Sequence, residues 1–580
     1  MEGIQQFMLQ KTIIFCKRHS LVFFLFFFAI LLRLFFILNN WPETDSEEGT
    51  MGLEALHILL KGEHPIYLYG QYYMGAGEAY IGAVIFKVLG ISIFSLRLGM
   101  LLLFTLFLIL VYLLGSLLYT KKVAIWTLVL LAGGSEIVIT PELKAVGGVV
   151  ETLVCGTALV LLASWIVLQK IRVDNKQKVT NKWYWSAYGC WGLAAGLGLW
   201  SHLLVVPFIF SSGAFLLLFN WRALKKGYIW IVLAGFFIGA SPLIIFNILD
   251  PLHNTVVVFW ELHNTVYPGA PTGLTLWMKQ LVGTFFYALP LSTGMLRFSD
   301  LQVVPGISTF FHIDELNALP LYGPLSWQSL LPLLCFGGWS TGYMLLLFSS
   351  TKHSFTKVFL FWKKIHYKIS LSEEDRLQFA LHVARCTLLF SGWLTIISFA
   401  LSATAAERPW SFRYLAGLLI VTPALIAPLC RLPQSLRITS RWKYAGIRIC
   451  IGLALGIIFL GTLQNFFELP SATAALHSQE RFVQQLEQMH ITRIYSGYWV
   501  CDRLIFASQE NVICSVIDDD MKPGLTRYIQ YHTIVSNDPK AAYVFTTNSD
   551  FDPLKDIDAF KANKAYQQFS MPGYIVFYPR

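Results

Sequence analysis

Four carboxylates fall within six residues of this chain: Glu43, Asp45, Glu47 and Glu48. They stand in the segment WPETDSEEGTMGLEALHILLKGEHPIYLYGQYYMGAGEAYIGA, directly after the first long apolar run. Acids at that density beside a bilayer can take a proton from a hydroxyl or hold a cation. They can also cap a helix starting at Ser46, where negative charge suits the N-terminal dipole. Asp45 and Glu47 favour the proton-accepting role and Glu43 the capping role. Glu48 fits either, and Asp45, Glu47 and Glu48 make up the expected catalytic set.

An anion leaving such a site needs a cation, and Lys144, Arg408 and Arg413 fall near the ends of apolar runs. An Arg fork matches phosphate oxygens and stays charged, although the same residues also anchor helix ends at headgroups. Glu142 and Glu151 bracket Gly147-Gly148. Glu151 falls inside an apolar run, where an acid is costly unless used or paired, and it is expected either to support a residue of the site from behind or to pair with Lys144. Tyr69, Gln71, Tyr72, Tyr73 and Glu78 suit stacking and hydrogen bonding to a sugar ring, although interfacial tyrosines also serve as anchors. The expected substrate-binding set is Tyr69, Gln71, Tyr73, Glu78, Lys144, Glu151 and Arg413.

No metal site is expected. The nine cysteines show no CxxC spacing, and His57 and His64 read as surface residues. A divalent cation on Asp45, Glu47 and a substrate phosphate is the minority alternative, since no clear DxD is present. Cys501 and Cys514 share the C-terminal tail, and two buried free thiols are expected there in preference to a disulfide.

The elements that must position these residues are membrane helices. Of 580 residues 55% are hydrophobic and 13% charged, with a mean hydropathy of +0.57. Apolar runs recur near 20–39, 93–118, 123–140, 149–169, 184–200, 203–219, 228–249, 324–348, 378–402, 412–430 and 445–464, about eleven crossings of the roughly 30 Å hydrocarbon layer. The net charge of +10 sits in alternate short loops such as Lys121-Lys122 and Arg222 to Lys226. That distribution implies membrane topology with a cytoplasmic N-terminus, and argues against a nucleic-acid partner. The acidic loop, residues 40–92, and the tail after Leu460 then face outward, as in a multi-pass protein of the plasma (inner) membrane.

Within that loop the pattern predicts two juxtamembrane helices, Ser46 to Lys61 and Ala76 to Leu89. Ser46 is the expected N-cap of the first, with Met51, Leu53, Leu56, Ile58, Leu59 and Leu60 laid on the bilayer. Leu274 to Leu291 reads as a re-entrant or surface helix, and Asp250 to Gly323 as an outer loop able to cover the site. Residues 1–464 form the expected membrane domain. Residues 465–580 form a small extracytoplasmic α/β domain, with a helix at Gln479 to Met489, strands at RIYSGYW, NVICSVI, AAYVFTT and GYIVFYP, and a helix near Pro553 to Lys564.

The first loop, SEEGTMGLEALHILLKGEHPIYLYGQYYMGAGEAYIGA with SIFSLRLG after it, resembles that of the GT-C glycosyltransferases. The likeness is to the bacterial branch related to protein O-mannosyltransferases and the aminoarabinose transferase. It extends more weakly through LKAVGGVVETL, GLAAGLGLWSH, RPWSFRYLAGL and YSGYWVCDRLIFAS. The resemblance implies an α-helical polytopic membrane fold, a catalytic carboxylate in the loop and a sugar donor carried on polyprenyl phosphate. It also implies inverting transfer to a glycan, lipid or protein hydroxyl in contact with membrane lipids. Relatives usually carry Asp-Glu where Glu47-Glu48 stands, which leaves the base open between Asp45 and Glu47. They commonly carry Arg before the Gly-Gly pair, where this chain has Val146, which shifts any phosphate-binding role to Lys144 or removes it. A transporter of a lipid-linked sugar is the rival reading.

Overall fold

The computed structural model describes residues 2–173, 181–223, 227–251, 255, 257–258, 272–297, 327–367, 372–407, 411–436, 441–518, 520–547, 560–561, 563–571 and 573–580. The chain is a multi-pass, mainly α-helical membrane protein with a small C-terminal sheet. Its N-terminal helices are α1 (Glu2–Leu38), α2 (Ser46–Leu60), α3 (Gly77–Leu89), α4 (Ile93–Leu118), α5 (Lys121–Ala132), α6 (Glu136–Leu143) and α7 (Val149–Val173).

Among the described residues seven helices are long and apolar enough to cross a membrane, and two bent pairs raise the number to nine. The expected segments near 184–200 and 412–430 are helical too, as Asn181–Ser201 and Leu418–Leu436, but do not meet that standard of length and apolarity. The expected surface helix at Leu274 to Leu291 is helical as Gly273–Gly283, followed by a π-helical turn at Thr284–Ala288. Most of the expected loop from Asp250 to Gly323 lies outside the described residues.

The expected span at 123–140 is corrected. It is two helices, α5 and α6, bent by 91°. A break in an apolar layer frees backbone groups that must find partners. Arg33 of α1 supplies them, donating to the carbonyls of Leu131 at 3.0 Å and Ala132 at 2.9 Å. Thr462 and Asn465 bind the Gly134 amide and carbonyl at 2.9 and 3.1 Å. Glu142 neutralises Arg33, whose guanidinium also lies 3.9 Å from the Phe104 ring centre. The bend is thus fixed from three sides, and it delivers Lys144, just past α6, to the acidic loop.

Two expectations about α2 are also corrected. Its N-cap is Asp45, whose extended backbone lets the carboxylate accept the Glu48 amide at 3.0 Å. Ser46 donates instead to the Tyr498 carbonyl at 2.6 Å. Met51, Leu53 and Leu56 are buried in protein, the first two sharing a core with Val500, Leu504 and Phe506, while Leu60 stays exposed. Glycine explains the preference for protein over lipid on that face. A Cβ at Gly49 would stand 2.5 Å from the Arg503 amide, and one at Gly52 2.8 Å from the Phe506 ring. Helix Tyr498–Ala507 therefore packs directly on α2.

The C-terminal sheet has five strands in the order β2-β1-β3-β5-β4. They are β1 (Arg493–Ser496), β2 (Ile513–Val516), β3 (Ala542–Thr546), β4 (Tyr566–Met571) and β5 (Tyr574–Pro579). The first three pair in parallel and the last two add an antiparallel edge. All four expected strands are present, and β4 is additional. The expected helix at Gln479 to Met489 is the end of Arg441–Gln488, which runs without interruption across residues 464 and 465. Most of the expected helix near Pro553 lies outside the described residues. Cys501 and Cys514 are joined as a disulfide, correcting the expectation of two thiols.

Candidate active site

The start of α2, the chain after α6, and a 3-10 turn at Phe412–Leu415 converge on one cleft. Lys144 Nζ pairs with the Asp45 carboxylate and donates to the Glu43 carbonyl at 2.7 Å. Arg413 forks onto Glu47 at 2.5 and 3.3 Å. These pairs are open: the Asp45 side chain is 35% exposed, Glu47 17% and Arg413 25%. Burial raises the Asp45 carboxyl, but Lys144, the Glu48 amide and Arg413 together outweigh it and hold the group below its ordinary value of 3.8. Asp45 is therefore ionised at neutral pH. Arg413 also borders a small apolar pocket lined by Ile137, Pro141, Val149, Leu153, Phe412 and Leu419.

Glu48 behaves differently. It accepts Arg97 at 2.8 and 2.6 Å, and both side chains are completely buried. Sealed in this way, it cannot meet a substrate. That finding runs against its place in the expected catalytic set, and the reason is helical geometry, which turns adjacent residues about 100° apart.

Glu78 is held from behind the cleft. Its two carboxylate oxygens accept the amides of Gly147 and Gly148 at 3.0 Å each. Both glycines are left-handed, with φ of +94° and +74°. A Cβ would meet Met74 Sδ at 2.7 Å or His202 Cβ at 2.7 Å. Glu151 lies near Glu78, and Lys144 is turned to Asp45, so the pairing of Glu151 with Lys144 is not made. Burial pushes the Glu78 carboxyl up, against the two glycine amides that favour its charged form.

Comparison with solved structures places this arrangement in a known architecture. The crystal structure of ArnT from Cupriavidus metallidurans bound to undecaprenyl phosphate matches 96% of this chain and 97% of its own, at 10% identity and a TM-score of 0.50. The chain has the GT-C fold. The archaeal oligosaccharyltransferase AglB from Archaeoglobus fulgidus, solved with an inhibitory peptide and a dolichol-phosphate, is also similar. It covers 97% of this chain and 75% of its own at 14% identity, with a TM-score of 0.44. No protein-family model and no curated protein sequence matches.

The aromatic set on the GT-C loop divides. Tyr73 lies near Tyr414 and Arg413, edge-on to His202 at 5.9 Å. Burial first, then Arg413, push the His202 imidazole down to about 3, so that it is neutral. Tyr69 turns away, donating to Glu63 at 2.6 Å and lying 2.9 Å from His57 Nδ1. Gln71, with its amide oxygen toward Arg527, accepts that guanidinium at 3.0 Å. Tyr69 and Gln71, expected on the substrate, thus join the loop to the C-terminal unit. His57, expected at the surface, is fully buried between Tyr69 and Glu510. Arg408 lies outside the described residues.

The sequence reading did not single out Arg97, His202, Tyr414, Tyr498 or Arg527. Arg97, Tyr414 and Tyr498 stand inside stretches quoted for their resemblance, SIFSLRLG, RPWSFRYLAGL and YSGYWVCDRLIFAS, and a charge at the head of an apolar helix was a usable signal for Arg97. Arg527 carries no local signal. Among the described residues no group of three His, Cys, Asp or Glu side chains could hold a metal ion. Asp45 and Glu47 engage separate cations, Lys144 and Arg413.

Proposed function

We propose that this protein is an inverting glycosyltransferase that moves a sugar from polyprenyl phosphate to an acceptor hydroxyl on the extracytoplasmic face of the plasma membrane. One observation carries the reading. Two carboxylates and two cations from three distant segments meet, with Asp45, Glu47 and Arg413 part-exposed and Lys144 buried behind them. The cations suit a lipid-linked phosphate, and the carboxylates an incoming hydroxyl. Residues 1–464 carry this chemistry and residues 465–580 form the outer α/β unit.

In the reaction, the donor phosphate draws Lys144 and Arg413 from their carboxylates. Asp45 then loses its strongest favourable neighbour while its burial remains, so its proton affinity rises. It takes the acceptor proton as the acceptor oxygen bonds to the anomeric carbon. The bond from that carbon to the phosphate oxygen breaks on the opposite face, and polyprenyl phosphate leaves with the electron pair. Glu47, freed from Arg413, orients the acceptor.

The transporter reading calls for polar groups midway along several helices. Glu151, the acid that most favoured it, stands in the first turn of α7 against Glu78. Mass spectrometry of cells lacking the protein tests the proposal. The expected result is accumulated polyprenyl-phosphate sugar and a surface glycan short of one sugar. Unchanged glycans and lipid-linked sugars would overturn it.

A further inference from the structure

The C-terminal unit reaches the cleft through Tyr498 and Arg527. Tyr498 begins helix Tyr498–Ala507, and its carbonyl accepts Ser46 Oγ at 2.6 Å, between Asp45 and Glu47 in sequence. Its side chain is half-buried and within electrostatic reach of Glu47. Behind it stands Arg527, 8% exposed. Arg527 Nε donates to the Tyr498 phenol oxygen at 2.7 Å, and Nη2 donates to the same oxygen. Nη1 donates to the Tyr69 carbonyl at 3.3 Å, and Gln71 accepts from Nη1 and Nη2 at 3.0 Å each.

These acceptors are all uncharged. A buried guanidinium is costly unless its surroundings use it. Among the described residues no carboxylate lies within ion-pair distance of this one, although its charge is felt by the buried Glu54 and Asp502. Its effect falls on the phenol. An oxygen that accepts two N–H bonds from a cation has only its own O–H proton left to give. The positive charge behind it makes that proton a stronger donor. A phenol held in this way can donate to a further oxygen and has no capacity to accept from one.

We propose that Tyr498 donates a hydrogen bond to an oxygen of the acceptor on the Glu47 side of the cleft, with Arg527 as its positioning residue. The inference rests on the glycosyltransferase reading. It makes the C-terminal unit part of the acceptor subsite.

The test uses full-length protein. Cells lacking it are complemented with wild type, Tyr498→Phe, Arg527→Met or Arg527→Lys, and the initial rate of glycan addition after induction is followed by mass spectrometry. Binding of undecaprenyl phosphate, the donor-side probe, is measured by native mass spectrometry on the purified proteins. Tyr498→Phe keeps the ring and backbone and removes only the hydroxyl. Its expected result is a drop in rate of about 10-fold, the scale of one hydrogen bond, with undecaprenyl phosphate binding and melting temperature unchanged. Arg527→Met is expected to fall at least as far, and Arg527→Lys, lacking the fork, not to rescue it. Tyr498→Phe working like wild type would overturn the inference alone. Equal loss of undecaprenyl phosphate binding would also overturn it, by moving Tyr498 to the donor side. A wild-type protein that transfers no sugar would remove the reaction, and the inference with it.

Discussion

Asp45 and Glu48 stand three residues apart, and each meets one cation, yet the two pairs have different consequences. Glu48 and Arg97 are fully buried, as is Arg33 with its partner Glu142, and these pairs join α2 to α4 and α1 to α6. Asp45–Lys144 and Glu47–Arg413 remain partly open. A sealed pair cannot exchange its partner without leaving a charge unpaired in a low dielectric, whereas an open pair can exchange for a substrate phosphate or hydroxyl. The same chemistry therefore holds the fold in one place and is available for reaction in the other. The backbone contact between the two is a single amide, that of Glu48, which Asp45 accepts.

The largest effect that would test this contrast is on stability. Glu48→Ala or Arg33→Leu leaves a buried charge alone and is expected to cost about 3–5 kcal/mol, read by thermal unfolding in detergent. A loss below about 1 kcal/mol would place these pairs with exposed ones. The open pairs should give the opposite pattern. Asp45→Asn is expected to lower transfer by about 10²–10⁴-fold while melting within a few degrees of wild type. Gly148→Ala should have an intermediate effect, since its φ of +74° and the His202 contact leave no room for a methyl group. A cost of about 1–3 kcal/mol is expected, together with weaker undecaprenyl phosphate binding as Lys144 shifts. The smallest effect is on pH dependence. With its folded pKa below 3.8, Asp45 adds stability that is fully present above the unfolded value and lost as pH falls through the folded one. Asp45→Asn should therefore flatten the acid limb of a stability profile below about pH 4 and lower the plateau near pH 7 slightly without changing its slope.

The apolar runs and the alternating C-terminal strands were legible in the sequence because length and periodicity are local properties. The two juxtamembrane helices were legible for the same reason, to within a residue at each boundary. The break at Gly133-Gly134 was not, because it depends on Arg33, Thr462 and Asn465 arriving from elsewhere. Asp45, Glu47, Lys144 and Arg413 could each be named by type. Their pairing could not, since Lys144 and Arg413 lie 99 and 366 residues from their acids. The burial of Glu48 against Arg97 was not legible either, because neighbours in sequence face apart on a helix. The contacts of Tyr69 and Gln71 with Arg527 were not legible because the C-terminal unit comes from the other end of the chain. The face of α2 assigned to lipid was misread for the same reason, since a buried helix face and a membrane-facing one have the same composition.

The most direct measurement is the rate of sugar transfer by purified full-length protein in nanodiscs, supplied with the lipid-linked sugar that accumulates in cells lacking it. Wild type is compared with Asp45→Asn and Glu47→Gln at equal folded amounts. The expected result is intact undecaprenyl phosphate binding with transfer abolished or nearly so in Asp45→Asn, and reduced in Glu47→Gln. Wild-type rates in both variants would contradict the account and leave the acidic loop as a helix cap.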